Sequence, residues 1–166
     1  MSMTTTDFML GALLNIPAHL LQERVLQAYI DANLLGLTPS NSVVFQRLSG
    51  SGDRITELAR RANMTKQSMG YLVESLIGEG YLILLPDPID KRAKIVCRTE
   101  KGWEVNRIAR QTVEQVQIEW TQLLGDENME QLLRLLHLLT DALGVFYAGS
   151  PAEASARRDT EPQSGE

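Results

Sequence analysis

Cysteine occurs once in the 166 residues, at Cys97, so the chain cannot close a disulfide on itself. Histidine occurs twice, at His19 and His137. The two lie far apart, without partners at metal-ligand spacing, so no metal site is expected. The chain has no G-x-S-x-G, phosphate-binding P-loop, H-E-x-x-H or G-x-G-x-x-G. With so few histidines and cysteines, a nucleophile-base pair has little material, and neither an enzyme nor a cofactor is expected. No apolar run approaches the roughly 18 residues that a membrane-spanning helix needs. Met1 to Ile16 lacks a basic start and a small-residue cleavage site, so no signal peptide is read and a cytoplasmic location is expected. Aromatic residues make up only 5%; Tyr29, Trp103 and Trp120 are read as packing groups rather than a ligand cage.

What is present centres on Arg54 to Gly102. Ile55, Leu58, Ala59 and Ala62 recur at helical spacing and predict a short amphipathic helix. Asn63 suits a left-handed exit, and Thr65 suits the cap of a second helix. That helix carries Met69, Leu72, Val73, Leu76 and Ile77 on one face and stops at Gly80. Its other face shows Lys66, Gln67, Ser68, Gly70 and Tyr71. Two short helices, a tight turn and a polar outer face describe a helix-turn-helix. Tyr81 to Leu85 and Ala93 to Arg98 then read as strands. The intervening P-D-P-I-D-K-R is a turn with a basic tip. A hairpin in this position is a wing, able to lie along a DNA backbone or minor groove while the second helix enters the major groove.

This stretch resembles the winged helix-turn-helix of the MarR (multiple antibiotic resistance regulator) family. The resemblance rests on the family's D-x-R-A, β-run, L-T-x-x-G pattern, matched by Asp90, Arg92, Ala93, Thr99 and Gly102, and on the E-L-A and T-K-Q-S segments. Arg98 departs from it, standing where the family usually has leucine. Ile83-Leu84-Leu85 departs too, where the family often has arginines, which leaves fewer phosphate contacts on that strand. The resemblance implies Arg92 at the wing and Asp90 holding the turn. It also implies a dimer built by interleaved terminal helices, and a cleft between lobes that takes aromatic acids, phenols or drugs.

Net charge is -5, yet Arg54 to Lys101 carries nine lysines and arginines against six aspartates and glutamates. A basic lobe on an acidic body still presents a binding face, since salt screens exposed charges beyond about 8–10 Å. Outside this lobe, Pro17 is expected to divide one helix ending near Asn15 from another running to about Asn33. Thr38-Pro39 starts a helix to Leu48, and Ser49-Gly50-Ser51-Gly52 reads as a flexible link. Thr99 caps a long helix to about Leu124, with Val105, Ile108, Thr112, Val116, Trp120 and Leu123 as its stripe. A last helix, Glu127 to Tyr147, holds more leucine than one buried stripe needs, and a second copy is its simplest cover.

The expected fold is mainly α with a small β-hairpin wing, a winged helix-turn-helix flanked by dimerisation helices. Residues 1–36 form N-terminal helices of the dimerisation lobe, 37–102 the DNA-binding lobe, 103–147 the C-terminal dimerisation helices and 148–166 a disordered tail. The expected function is sequence-specific binding of double-stranded DNA as a homodimeric transcriptional regulator. A repressor released from a pseudo-palindromic operator by a small apolar or aromatic effector fits best.

Candidate DNA-binding residues are Arg54, Thr65, Lys66, Gln67, Ser68, Tyr71, Asp90, Lys91, Arg92 and Lys94. Gln67 suits an adenine edge and Lys66 a guanine or phosphate. Gly70 suits close approach either to the groove wall or to a neighbouring helix. Asp90 is expected to brace the turn or pair with Arg92. Candidate effector-pocket residues are His19, Tyr29 and Arg47. Candidate dimerisation residues are Leu13, Leu14, Leu132, Leu136, Leu139 and Leu143. Cys97 is read as an ordinary strand residue. The rival readings are a winged helix that docks on protein, with Ile83-Leu84-Leu85 as the clue, and a dimerisation module without DNA binding.

Overall fold

A computed structural model of the chain describes residues 7–144. The expected tail over 148–166 lies outside the described residues, as do residues 1–6. The element order is α1 (Asp7–Asp31), α2 (Pro39–Arg47), α3 (Ile55–Arg61), α4 (Lys66–Gly78), β1 (Leu82–Pro86), β2 (Lys94–Arg98), α5 (Glu100–Leu124) and α6 (Asp126–Ala142). The strands form one antiparallel hairpin, with Leu82 opposite Arg98 and Pro86 opposite Lys94. The fold is thus mainly helical with a two-stranded wing, as expected.

Local chemistry starts three of the six described helices. The Thr38 hydroxyl accepts from the Asn41 amide while the Asn41 carboxamide oxygen accepts from the Thr38 amide, a reciprocal box ahead of Pro39. Thr65 caps α4 and Thr99 caps α5 through the hydroxyl alone, accepting from the amides of Ser68 and Gly102. Asn63 leaves α3 at φ +52, as its short polar side chain permits.

One core runs through the described chain. Tyr29 and Leu34, at the end of α1 and just beyond it, join Val44, Phe45, Leu48, Leu58, Met69, Val73, Leu76, Tyr81, Val96, Val105 and Ile108 in a single buried cluster. Tyr81 ties several elements together. Its hydroxyl donates to the Leu35 carbonyl at 2.7 Å, and its ring meets Phe45 edge-on. Its carbonyl accepts from Thr99. Gly102 lies so close that an added Cβ would sit 2.2 Å from that carbonyl oxygen. Only glycine fits there, which gives the last residue of the T-x-x-G pattern a packing role.

Four expectations need correction. Pro17 does not divide the first helix; α1 is continuous through it. Every residue from Met9 to Leu20 is exposed, so a carbonyl deprived of its amide partner by proline can bond to water instead. The Ser49–Gly52 segment is a pinned turn, not a flexible link. The Ser49 amide donates to Asp53 at 2.6 Å and its hydroxyl to the Gly52 carbonyl, and Asp53 bridges to Val96 of β2. Leu123 is 81% exposed and drops out of the buried stripe of α5. Finally, α6 closes at Ala142, with Leu143 as its C-cap, short of Tyr147.

Both α1 and α6 pack on α5, and each keeps an apolar face uncovered. Leu10, Leu13, Leu14 and Leu20 are exposed on α1; Leu132, Leu135, Leu136, Leu138 and Leu139 are exposed on α6, as is Leu143 at its end. No helix among the described residues is long and apolar enough to cross a membrane.

Candidate nucleic-acid interface

The outer face of α4 is built from its own first turn. Thr65, Lys66, Gln67, Ser68 and Tyr71 are all exposed, over a buried face of Met69, Val73 and Leu76. The Thr65 hydroxyl donates to Ser68 Oγ at 2.9 Å, and Gln67 Nε2 donates to Tyr71 Oη at 3.3 Å. No acidic residue stands in that first turn. Nothing lies within 4 Å of where a Gly70 Cβ would sit. Close packing of another helix therefore does not account for this glycine, and the space outside it is open.

The wing is braced by Asp87, which the sequence reading passed over. Asp87 is 7% exposed. Its Oδ1 accepts from the Ile89 amide at 2.8 Å and the Asp90 amide at 3.2 Å. Its Oδ2 accepts from Arg54 Nε at 2.7 Å. The Ile89 amide first, then the Arg54 guanidinium and the Asp90 amide, hold its carboxyl below the usual carboxylate range. Asp90 does brace the turn, accepting from the Arg92 amide at 3.1 Å. Its charge partner, however, is Arg54 at 3.5 Å and not the Arg92 side chain. Arg54 therefore joins α3 to the wing, and its guanidinium is engaged by two carboxylates. The sequence clue to Asp87 was its place at the head of a P-D-P-I-D turn, where an aspartate accepts from amides two and three residues on.

Pairing divides the basic residues of this region into two sets. Arg60 and Arg61 bind Glu57, and Arg61 also binds Asp53 at 3.0 Å. Lys101 donates to the Glu79 carbonyl and lies over the Tyr81 ring at 4.1 Å. Lys66, Lys91, Arg92 and Lys94 are exposed and sit in no ion pair among the described residues. These four are the cations left to meet an external anion. Beside them at the tip, Ile89 is 94% exposed, a large apolar group that the reading of a basic tip missed. Ile83 and Leu85 of β1 are also exposed. Cys97 is half-buried, and burial, with Asp53 nearby, pushes its thiol above the ordinary value. That favours an unreactive thiol.

Arg98 accounts for its own departure from leucine. Its Nη2 donates to the carbonyls of Phe45 and Leu48, its Nη1 to that of Ser49, and its Nε to Asn106 Oδ1, at 2.7–3.2 Å. Its guanidinium also lies over Trp103, 4.9 Å from the ring centroid. Arg61 donates to the Arg47 carbonyl from the other side. The C-terminus of α2, whose last carbonyls have no helical donor, is thus capped by two arginines from elsewhere.

A separate cleft of about 640 Å³ opens between α1, α2 and α5. Of the three expected pocket residues, only Tyr29 lines it. His19 is exposed on α1, 3.3 Å from Glu23, and Arg47 is not part of the cleft lining, although its neighbour Gln46 is. A helix turns about 100° per residue, so adjacent positions face different ways. The helical period alone did not say which of two neighbours turns inward.

Two short helices joined by a tight turn, followed by a hairpin with an exposed basic tip, make this a winged helix-turn-helix. A sequence profile of the MarR family matches residues 35–93, the span that holds α2, both helices of the motif and most of the wing. A curated relative, the transcriptional activatory protein BadR of Rhodopseudomonas palustris, is 26% identical over 112 residues, 65% of this chain. The match spans 63% of that relative's length. The transcriptional repressor CouR bound to a 23-mer DNA duplex is similar at a TM-score of 0.60 and 24% identity, over 84% of this chain and 98% of that one. CouR from Rhodococcus jostii RHA1 bound to p-coumaroyl-CoA is similar at a TM-score of 0.60 and 23% identity, over 87% and 99%. At these identities the two structures speak to the fold.

Proposed function

We propose that the chain is a transcriptional regulator that binds double-stranded DNA as a homodimer, in the cytoplasm, and responds to a small molecule. The observation that carries this reading is the set of unpaired cations at the wing and on α4. Lys66 stands beside the exposed Gln67 at the start of α4, while Lys91, Arg92 and Lys94 crown a wing held rigid by Asp87 and Arg54. In the proposed mechanism, α4 enters the major groove and reads bases through its first turn. The wing tip meets phosphates or the minor groove, where Ile89 adds an apolar contact. Thr65, Ser68 and Tyr71 complete the α4 contact.

The uncovered leucines of α1 and α6 support the homodimer. A two-fold axis would place two winged lobes on half-sites about one helical turn apart, roughly 10 bp. The cleft beside α5 supports an effector site, since it lies between the winged lobe and the helices that would form the dimer. The match of residues 35–93 to the MarR family and the DNA-bound and ligand-bound CouR structures agree with this reading. BadR is described as an activatory protein and CouR as a repressor, so repression, the sign expected from the sequence, remains part of the proposal.

Selection of bound duplexes from a random pool, followed by anisotropy at several salt concentrations, tests it. Arg92→Ala should lower the salt slope by about 1. Gln67→Ala should cost about 1–3 kcal/mol and relax preference at one base pair per half-site. Unchanged binding in both variants would remove the contact scheme. The exposed Ile83 and Leu85 favour the protein-docking reading as the second choice; it predicts no enriched duplex at all.

A further inference from the structure

The cleft between α1, α2 and α5 has a lining that discriminates by charge. Its walls are Leu21, Val25, Leu26, Val43, Phe45 and Val113 with smaller apolar neighbours, and its polar members are Gln22, Tyr29, Ser42, Gln46 and Asn106. None of the lining residues carries a charge. Arg98 touches the lining through Asn106, but its Nε, Nη1 and Nη2 all donate to protein acceptors. Its charge already faces the carbonyls at the end of α2. An anion entering the cleft would leave water without meeting a cation among the lining residues, a transfer that strongly disfavours the charged form.

Two polar groups at the cleft have unmet capacity. Tyr29 is 4% exposed, and its hydroxyl has no hydrogen-bond partner among the described residues. Asn106 accepts from Arg98 through Oδ1, while its amide nitrogen likewise has no partner among the described residues. The Ser42 hydroxyl, in contrast, already donates to the Pro39 carbonyl. Both unmet groups are neutral donors, and they fit a neutral acceptor such as a carbonyl oxygen. Burial also pushes the Tyr29 phenol up to about 12, so the hydroxyl keeps its proton and the site opposes negative charge.

We propose that this cleft takes an uncharged aromatic or acyl group bearing a carbonyl oxygen, such as an ester, amide or thioester, and rejects the corresponding free acid. The inference rests on the cleft being the effector site and narrows the chemistry of what enters it. It differs from the aromatic acids that the family resemblance led us to expect. The carbonyl oxygen accepts from Tyr29, and the apolar body lies against Val25, Phe45 and Val113.

Isothermal titration calorimetry on the full chain, without DNA, provides the test at pH 7.5. The probes are methyl 2-naphthoate, 2-naphthoate and 2-ethylnaphthalene, which share one ring system. The ester should bind at least about tenfold more tightly than the acid. Tyr29→Phe should weaken the ester about 2–10-fold, as loss of a neutral hydrogen bond does, and leave the hydrocarbon unchanged. Gln46→Lys, a change at an exposed position on the cleft, should raise affinity for the acid and not for the ester. Equal or tighter binding of the acid to the parent protein would overturn the inference, and so would failure of all three probes to bind. DNA binding does not enter these measurements. Loss of the duplex result therefore removes the regulator reading alone, while loss of the calorimetric result removes only the cleft chemistry.

Discussion

Replacing Arg98 by leucine, the residue usual in the family, should destabilise this protein although it restores the common pattern. Arg98 donates to four oxygens, those of Phe45, Leu48, Ser49 and Asn106. The Ser49 amide, which would continue the α2 ladder to the Phe45 carbonyl, is diverted to Asp53, so Arg98 takes its place. Hydrogen bonds from a charged donor contribute about 1.5–3 kcal/mol each in favourable cases. Water can reach part of this half-buried site, and leucine regains about 1–2 kcal/mol through apolar burial. The net loss should therefore be about 3 kcal/mol. For a chain of this size each kcal/mol lowers Tm by about 2–4 °C, which gives a fall of about 6–12 °C. The assay is calorimetric or circular-dichroism melting at one fixed protein concentration, since dimerisation couples Tm to concentration. Arg98→Lys should recover less than half of the loss, because one ammonium cannot reach acceptors spread around a planar fork. A fall below about 2 °C for Arg98→Leu would refute the capping argument.

Other outcomes follow from separate contacts. Leu136→Glu places a charge on the exposed leucine face of α6 and should give monomer in sedimentation, with loss of binding to a two-half-site duplex; a parent protein that is itself monomeric at micromolar concentration removes the basis for this. Gly52→Ala puts a side chain on a residue at φ +89, with Cβ 2.6 Å from Cys97 Sγ and 2.8 Å from the Val96 carbonyl oxygen. It should cost about 1–3 kcal/mol or more in urea unfolding, and an unchanged midpoint would mean that the turn relaxes freely. Glu57, Asp87, Glu104 and Glu119 all have lowered pKa values, each through hydrogen bonds: Glu57 to Arg60, Asp87 to backbone amides and Arg54, Glu104 to Arg107, and Glu119 to Arg24. Lowered folded values mean stability that is present above the unfolded values of about 4 and lost as pH falls through the folded ones. Urea midpoints should therefore hold level from pH 7 to about 5 and drop below about 4, less steeply in Asp87→Asn; a midpoint that rises on acidification contradicts the sign.

The sequence alone determined the elements whose cause is local. Thr38, Thr65 and Thr99 cap helices because a hydroxyl reaches amides only two or three residues away, and that distance is set by the chain itself. Asn63 and the apolar spacing of α3 and α4 did the rest, so the helix-turn-helix and wing were legible in the sequence. The tertiary structure decided every contact between residues distant in sequence. Arg98 and the α2 carbonyls are some 50 positions apart, and Arg54 and Asp87 are 33 apart; no periodicity encodes such pairs. The same holds for Ser49–Gly52, where a composition that suits flexibility is held by Asp53 and Arg98. Pro17 was misread because the cost of proline depends on whether the orphaned carbonyl meets water, and exposure belongs to the fold. Of the three expected pocket residues, His19 and Arg47 fall outside the cleft because side-chain direction follows from how α1, α2 and α5 are rotated against one another. Rotation is set by packing of the whole core, to which each helix supplies only one face.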